Sequence, residues 1–237
     1  MGALPSEILL GKPPIRVRLR RNLRARRYIL RLSTHGDGAF LTIPRTGTLE
    51  EGLAFVRARE DWLRERLGAL PARRRIVPGC TLPVEGRTVR VELHPGPNIH
   101  LEDGRLLVGG DTALIGPRVA GFLRARARDI MVPEAFALAA QLGRVPESIR
   151  FRDTRSRWGS CSSEGRLMFS WRLVMVPARL RRYVVAHEVA HLVHMNHSHA
   201  FWHLVGDLHP GWQEDRKALR ESAPFILGHD FGEGAAP

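Results

Sequence analysis

The chain has 237 residues, 43% hydrophobic and 26% charged, a composition that fits one large or two small globular domains able to bury a core without staples. No apolar run approaches the 18 or so residues of a membrane span, and with only Cys80 and Cys161 present a disulfide framework is excluded. The net charge of +13 rests on arginine, Lys12 and Lys217 being the only lysines. It points either to an anionic partner or to a solvated arginine-rich surface.

The opening MGALPSEILLGKPP has neither the basic nor the long apolar region of a secretory signal. A cytoplasmic location with two reduced thiols is therefore expected, with residues 1–14 as an N-terminal tail. IRVRLR (15–20) alternates apolar and arginine residues, the period of a strand with one buried and one basic face. RRYILRLS and AFLTIP read as further strands around the turn-rich THGDG. Eight arginines fall between residues 16 and 31. From Thr48 the period becomes helical, with Thr48 and Glu51 forming a capping box, Leu49, Leu53, Val56, Leu63 and Leu67 on one stripe, and Gly68 as the stop.

Two hairpins are predicted next, turning at Glu85-Gly86 and Asp103-Gly104. Residues 15–112 thus read as a β-rich N-terminal part with one long helix. From about residue 113 a helical pattern runs on, and Pro133 is expected to kink or divide it. SIRFRDTRSRWGSCSSEGRLMFSWRLVMVP follows as strand, turn, strand, and a helix beginning near Pro177 is predicted to continue unbroken to Met195 and to end at Asn196. No internal repeat is visible.

Six of the eleven histidines lie between residues 183 and 203. Among them His187, Glu188 and His191 form H-E-x-x-H. On a helix, residues four apart differ by about 40° and roughly 6 Å, so both imidazoles can reach one ion. Glu188 lies about 100° round from His187, beside the ion, where a base belongs. The helix is apolar nearly all round and so should be buried. A metal would satisfy its histidines and give the buried carboxylate a reason to exist. Zn²⁺ at a catalytic site takes three protein ligands. Spacing leaves His194, His197, His199 and His203 as candidates for the third, with His194 strained by its distance along the axis. Arg155, Arg157 and His203 are possible oxyanion helpers that spacing does not single out. Cys161, between two serines, reads better as a small buried hairpin residue than as a nucleophile, and Trp158 and Trp171 read as core.

These residues carry a resemblance. His187, Glu188, His191, His197 and Phe201 follow the pattern H-E-L-x-H, five residues, His, three residues, Phe of the YgjP-like metallopeptidase domain family, related to the SprT-like and Wss-type zincins, with Val189 in place of leucine. RSRWGSCSSEGRLMFSWRL matches its Arg-Trp-Gly-Ser-Cys-Ser hairpin, and RRNLRARRYILRLS its basic opening strands. The resemblance spans roughly residues 15–225. It implies an α+β fold with a zincin-like catalytic part over residues 113–228 and a C-terminal tail at 229–237. It also implies a zinc metallopeptidase in which His187, His191 and His197 hold the metal and Glu188 is the general base. Second carboxylates are expected behind the ligand histidines. The expected substrate is a peptide or protein, and the hairpin could take it as an added strand. Two alternatives stay open. One is a metal-dependent nucleotide or phosphoester hydrolase; the other is a nucleic-acid-associated protease docked through its arginine strands.

Overall fold

In the computed structural model, which describes residues 4–33, 38–69, 73–154 and 156–232, the chain divides between Arg73 and Arg74 into two compact units. The first begins with β1 (Glu7–Leu10), inside the stretch expected to be a tail, and β2 (Ile15–Arg21). Ile15, Val17 and Leu19 are buried while Arg16 and Arg20 are exposed, as the alternation requires. β3 (Ile29–Leu32) and β4 (Ala39–Ile43) complete the sheet in the order β1-β2-β4-β3, with β2 and β4 parallel and the other pairs antiparallel. Of the turn-rich THGDG, residues 34–37 lie outside the described residues.

The helical segment is two helices, α1 (Leu49–Arg57) and α2 (Glu60–Gly68). The capping box of Thr48 and Glu51 is present. Arg59 leaves helical geometry at φ −122°, and its guanidinium donates to the Phe55 carbonyl and lies over the Phe55 ring, which favours the break. Val56 and Leu63 close the unit's core against Val17, Leu41 and Ile43. Some of its arginines are engaged internally, while Arg24, Arg26, Arg27 and Arg31 are exposed. Arg20 donates to Thr42, and Arg21 to the carbonyls of Pro44, Arg45 and Gly47.

The second unit starts with the short β5 (Arg74–Arg75), followed by β6 (Thr81–Val84), β7 (Arg87–His94), β8 (Ile99–Glu102) and β9 (Arg105–Gly109). The boundary expected near residue 113 falls inside this unit, because Val84, Val91, Leu106 and Val108 share one core with the helices that follow. Both predicted hairpin turns form, with φ positive at Glu85, Gly86, Asp103 and Gly104. α3 (Ile115–Gln141) is one helix of 27 residues and is not divided at Pro133. Pro133 and Asp129 both sit on the exposed side, so water can reach the carbonyl that the proline leaves unbonded. Val119, Leu123, Ala127, Met131 and Ala135 form its fully buried stripe.

β10 (Ser148–Arg152), β11 (Gly159–Cys161) and β12 (Arg166–Ser170) make a three-stranded sheet with β12 central and β11 antiparallel to it at one edge. Trp171 to Met175 form a buried 3₁₀ turn that leads to α4 (Ala178–Ala190). α5 (His199–Leu208) and α6 (Trp212–Leu227) follow. The expected C-terminal tail in fact contains β13 (His229–Asp230), parallel to β5, and a buried Phe231 against Trp171. Two ion pairs fix the frame around α4. Arg172, 1% exposed, makes a two-pronged contact with Asp153, and Arg181 of α4 does the same with Glu134 of α3. The architecture is α+β, with β-rich structure before the histidine-bearing helix and the hairpin β11–β12 beside it.

Candidate metal centre

α4 is buried over most of its length because Val185, Ala186, Val189 and Ala190 are fully enclosed. It ends at Ala190, five residues before the expected Met195. The amides of Leu192 and Val193 bond back three residues, and His191 Nδ1 donates to the His194 carbonyl at 2.9 Å, pulling the chain into a tight turn. That bond leaves the Nε2 lone pair of His191 free. The partner behind His191 is therefore a backbone carbonyl and not the expected carboxylate. His187 Nδ1 is buried with no partner among the described residues.

The turn after α4 carries His197 back over the helix. One ring nitrogen from each of His187, His191 and His197 lies within 4.8 Å of the others, a group that could hold a metal ion. Bonds of about 2.0–2.1 Å to a tetrahedral ion place nitrogens about 3.3 Å apart, and His187 Nε2 and His197 Nε2 are 3.2 Å apart. Of the other candidates, His203 pairs with Asp207 on the surface, while His194 contributes its carbonyl to His191.

Burial keeps the imidazoles of His187 and His191 neutral. It pushes His187 down to about 3, helped by His191, His197 and Arg216. His191 is also lowered, mainly by burial. Neutral imidazole is the ligating form, so the donor set suits a cation. Phe201, fully buried, stacks on His191 at 4.4 Å and meets His187 and His197 edge-on, fixing all three rings. Trp202 lies along His197 and stacks on Trp212. Ser198 sets this register by capping α5 at the Phe201 amide.

Glu188 is 6% exposed. Burial raises its carboxyl to about 8 against the opposing pull of Arg157, and a cation held by the neighbouring histidines would favour its charged form. Its position depends on Gly159 of β11. A Cβ on that residue would stand 2.6 Å from Glu188 Cγ and Oε1. Sequence reasoning passed over Gly159; the only signal was a glycine opening a strand, which marks a close approach. The Cys161 thiol is pushed up to about 11 by burial and then by Glu188, so it is held as a thiol and fits the small-residue reading. Trp171 is fully buried as expected, whereas Trp158 is only partly buried and lines a cavity next to Glu188. Arg157 lines that cavity too; Arg155 lies outside the described residues.

No curated protein sequence matches the chain. Among solved structures, the crystal structure of the metallopeptidase zymogen of Pyrococcus abyssi abylysin is similar at 21% identity and a TM-score of 0.30, over 43% of this chain and 93% of that one. The family model for the YgjP-like metallopeptidase domain matches residues 26–222, most of the chain. The chain belongs to the YgjP-like metallopeptidase domain family.

Proposed function

We propose that the protein is a zinc-dependent peptidase in which His187, His191 and His197 hold the metal and Glu188 is the general base. The observation that carries this reading is the convergence of three imidazoles beside a buried carboxylate. A divalent cation bound there supplies Lewis acidity and lowers the pKa of a ligating water to about 7. Glu188 takes the proton of the attacking water and delivers it to the leaving amine. Gly159 lets its carboxylate sit there, and Arg157 favours the charged form. β11, an outer strand next to α4, is placed to receive the substrate backbone as an added strand.

Phosphoester hydrolysis by two metals needs several carboxylates. Among the described residues the nearby acids are already engaged, Asp207 with His203 and Glu214 with Arg179. In the first unit Arg20 and Arg21 bond within their own sheet and are not free to meet phosphates.

Metal analysis of the purified protein tests the ligands: about one zinc per chain is expected, and a sharp loss in His197→Ala. Glu188→Gln is expected to keep the metal and lose peptide hydrolysis by roughly 10²–10⁴-fold. Undiminished hydrolysis by that variant would overturn the assignment.

A further inference from the structure

The cavity next to Glu188 and His187 has a volume of about 400 Å³, in the range of small-molecule and side-chain pockets. Away from His187 and Glu188 its buried lining is apolar, from Val184 and Leu219, with Trp158 and Tyr183 as aromatic walls. Three guanidinium groups, Arg157, Arg216 and Arg220, complete it, and Glu188 is its one acidic lining residue.

Arg216, Leu219, Arg220 and Ala223 lie at helical spacing on one face of α6, so two like charges four residues apart face the same space. Such a pair weakens a helix, and no local partner offsets it. Among the described residues Arg157, Arg216 and Arg220 make no ion pair, and Arg216 rests on the Trp202 ring. Neighbouring arginines of the unit are handled differently: Arg172, Arg179 and Arg181 each have a carboxylate. The fields of the three rim arginines converge on the cavity, with Arg157 acting on Glu188, Arg216 on His187, and Arg216 and Arg220 both on Tyr183. A concave site with an apolar lining and unmatched cations fits a group with an aliphatic stem and an anionic end.

We propose that this cavity receives a substrate carboxylate, either the side chain of a glutamate or aspartate beside the scissile bond or the free C-terminus of a peptide, making the protein an acid-selective peptidase. The inference rests on the peptidase reading of the metal centre.

The test uses the full chain loaded with zinc and a peptide set with Glu, Gln, Leu or Lys at one varied position. Each peptide is prepared as free acid and as C-terminal amide, and cleavage is followed by mass spectrometry. A preference of about tenfold in kcat/KM is expected for Glu over Gln, or for free acid over amide, according to which carboxylate is read. Arg216→Gln with Arg220→Gln should reduce that preference to near unity, and Arg216→Glu with Arg220→Glu should shift it toward Lys. Zinc content and circular dichroism should match the parent protein. Binding of the same peptides to the Glu188→Gln protein should follow the same order without turnover. Hydrolysis that is equal for Glu and Gln, and for acid and amide, would overturn the inference and leave the peptidase standing. Cleavage of no peptide, with or without hydrolysis of nucleoside triphosphates, would overturn both.

Discussion

In the first unit β1 and β2 pair antiparallel, β2 runs parallel to β4, and β3 returns antiparallel to β4; in the second, β6, β7, β9 and β8 repeat each of these relations. A capped helical segment follows each sheet, opened by Thr48 in one and by Asp111 in the other. What comes next differs. The first sheet is closed by two helices of nine residues with a core of its own. The second shares its core with a 27-residue helix and, beyond it, with α4. The candidate ligands and Glu188 all lie in the second unit. One strand topology therefore serves two ends, and the chemistry comes from what is packed against it. Arginine differs in degree of burial: in the first unit Arg20 and Arg21 bond to a hydroxyl and to carbonyls and Arg64 pairs with Glu60, while in the second Arg172 and Arg181 form buried ion pairs and Arg157, Arg216 and Arg220 make an open rim.

Four measurements would break or sharpen this contrast. Arg172→Ala, which strands Asp153 and two carbonyls in the second core, should cost about 3–5 kcal/mol in denaturant unfolding. A loss below about 1 kcal/mol would remove the distinction between the two units' arginines. Gly159→Ala should displace the Glu188 carboxylate and lower kcat by about 100-fold with zinc content unchanged; an unaltered rate would show that the close approach is dispensable.

The third measurement concerns pH. Glu188 is held at about 8 in the folded chain, above its ordinary 4.5. The stability this provides is complete below 4.5 and is lost as pH rises through about 8. In chelated protein, the melting advantage of Glu188→Gln over the parent should therefore be nil at pH 4. It should grow to about 9–17 °C by pH 8. A constant difference across that range would contradict the burial argument. Last, Arg21→Gln in the first unit gives up bonds to three carbonyls, two of them exposed, and should cost less than about 1 kcal/mol, with metal content and rate unchanged.

The parts of the site legible in the sequence were those set by local period. His187, Glu188 and His191 are placed by helix geometry alone, and the hairpin turns by Glu85-Gly86 and Asp103-Gly104. His197 required the family pattern, because a turn between helices has no period and three other histidines lie within reach of the same count. The end of α4 was missed since Leu192 and Val193 continue the apolar pattern past Ala190, and a hydrogen bond from His191 to a carbonyl three residues on decides the matter. The break at Arg59 was hidden in the same way by a continuous stripe from Leu49 to Leu67. Gly159 against Glu188, the arginines converging from β11's approach and α6, and the parallel pairings β2–β4 and β7–β9 are contacts between distant segments. No window of sequence contains them.

His187 and His197 are ten positions apart, with Nε2 atoms 3.2 Å from each other. A cation joining them closes a very short loop, for which little chain entropy has to be surrendered. Stripping the ion should therefore loosen the stretch between α4 and α5 while the surrounding core stays folded. Repeated cycles of chelation and refilling should return the same protein each time.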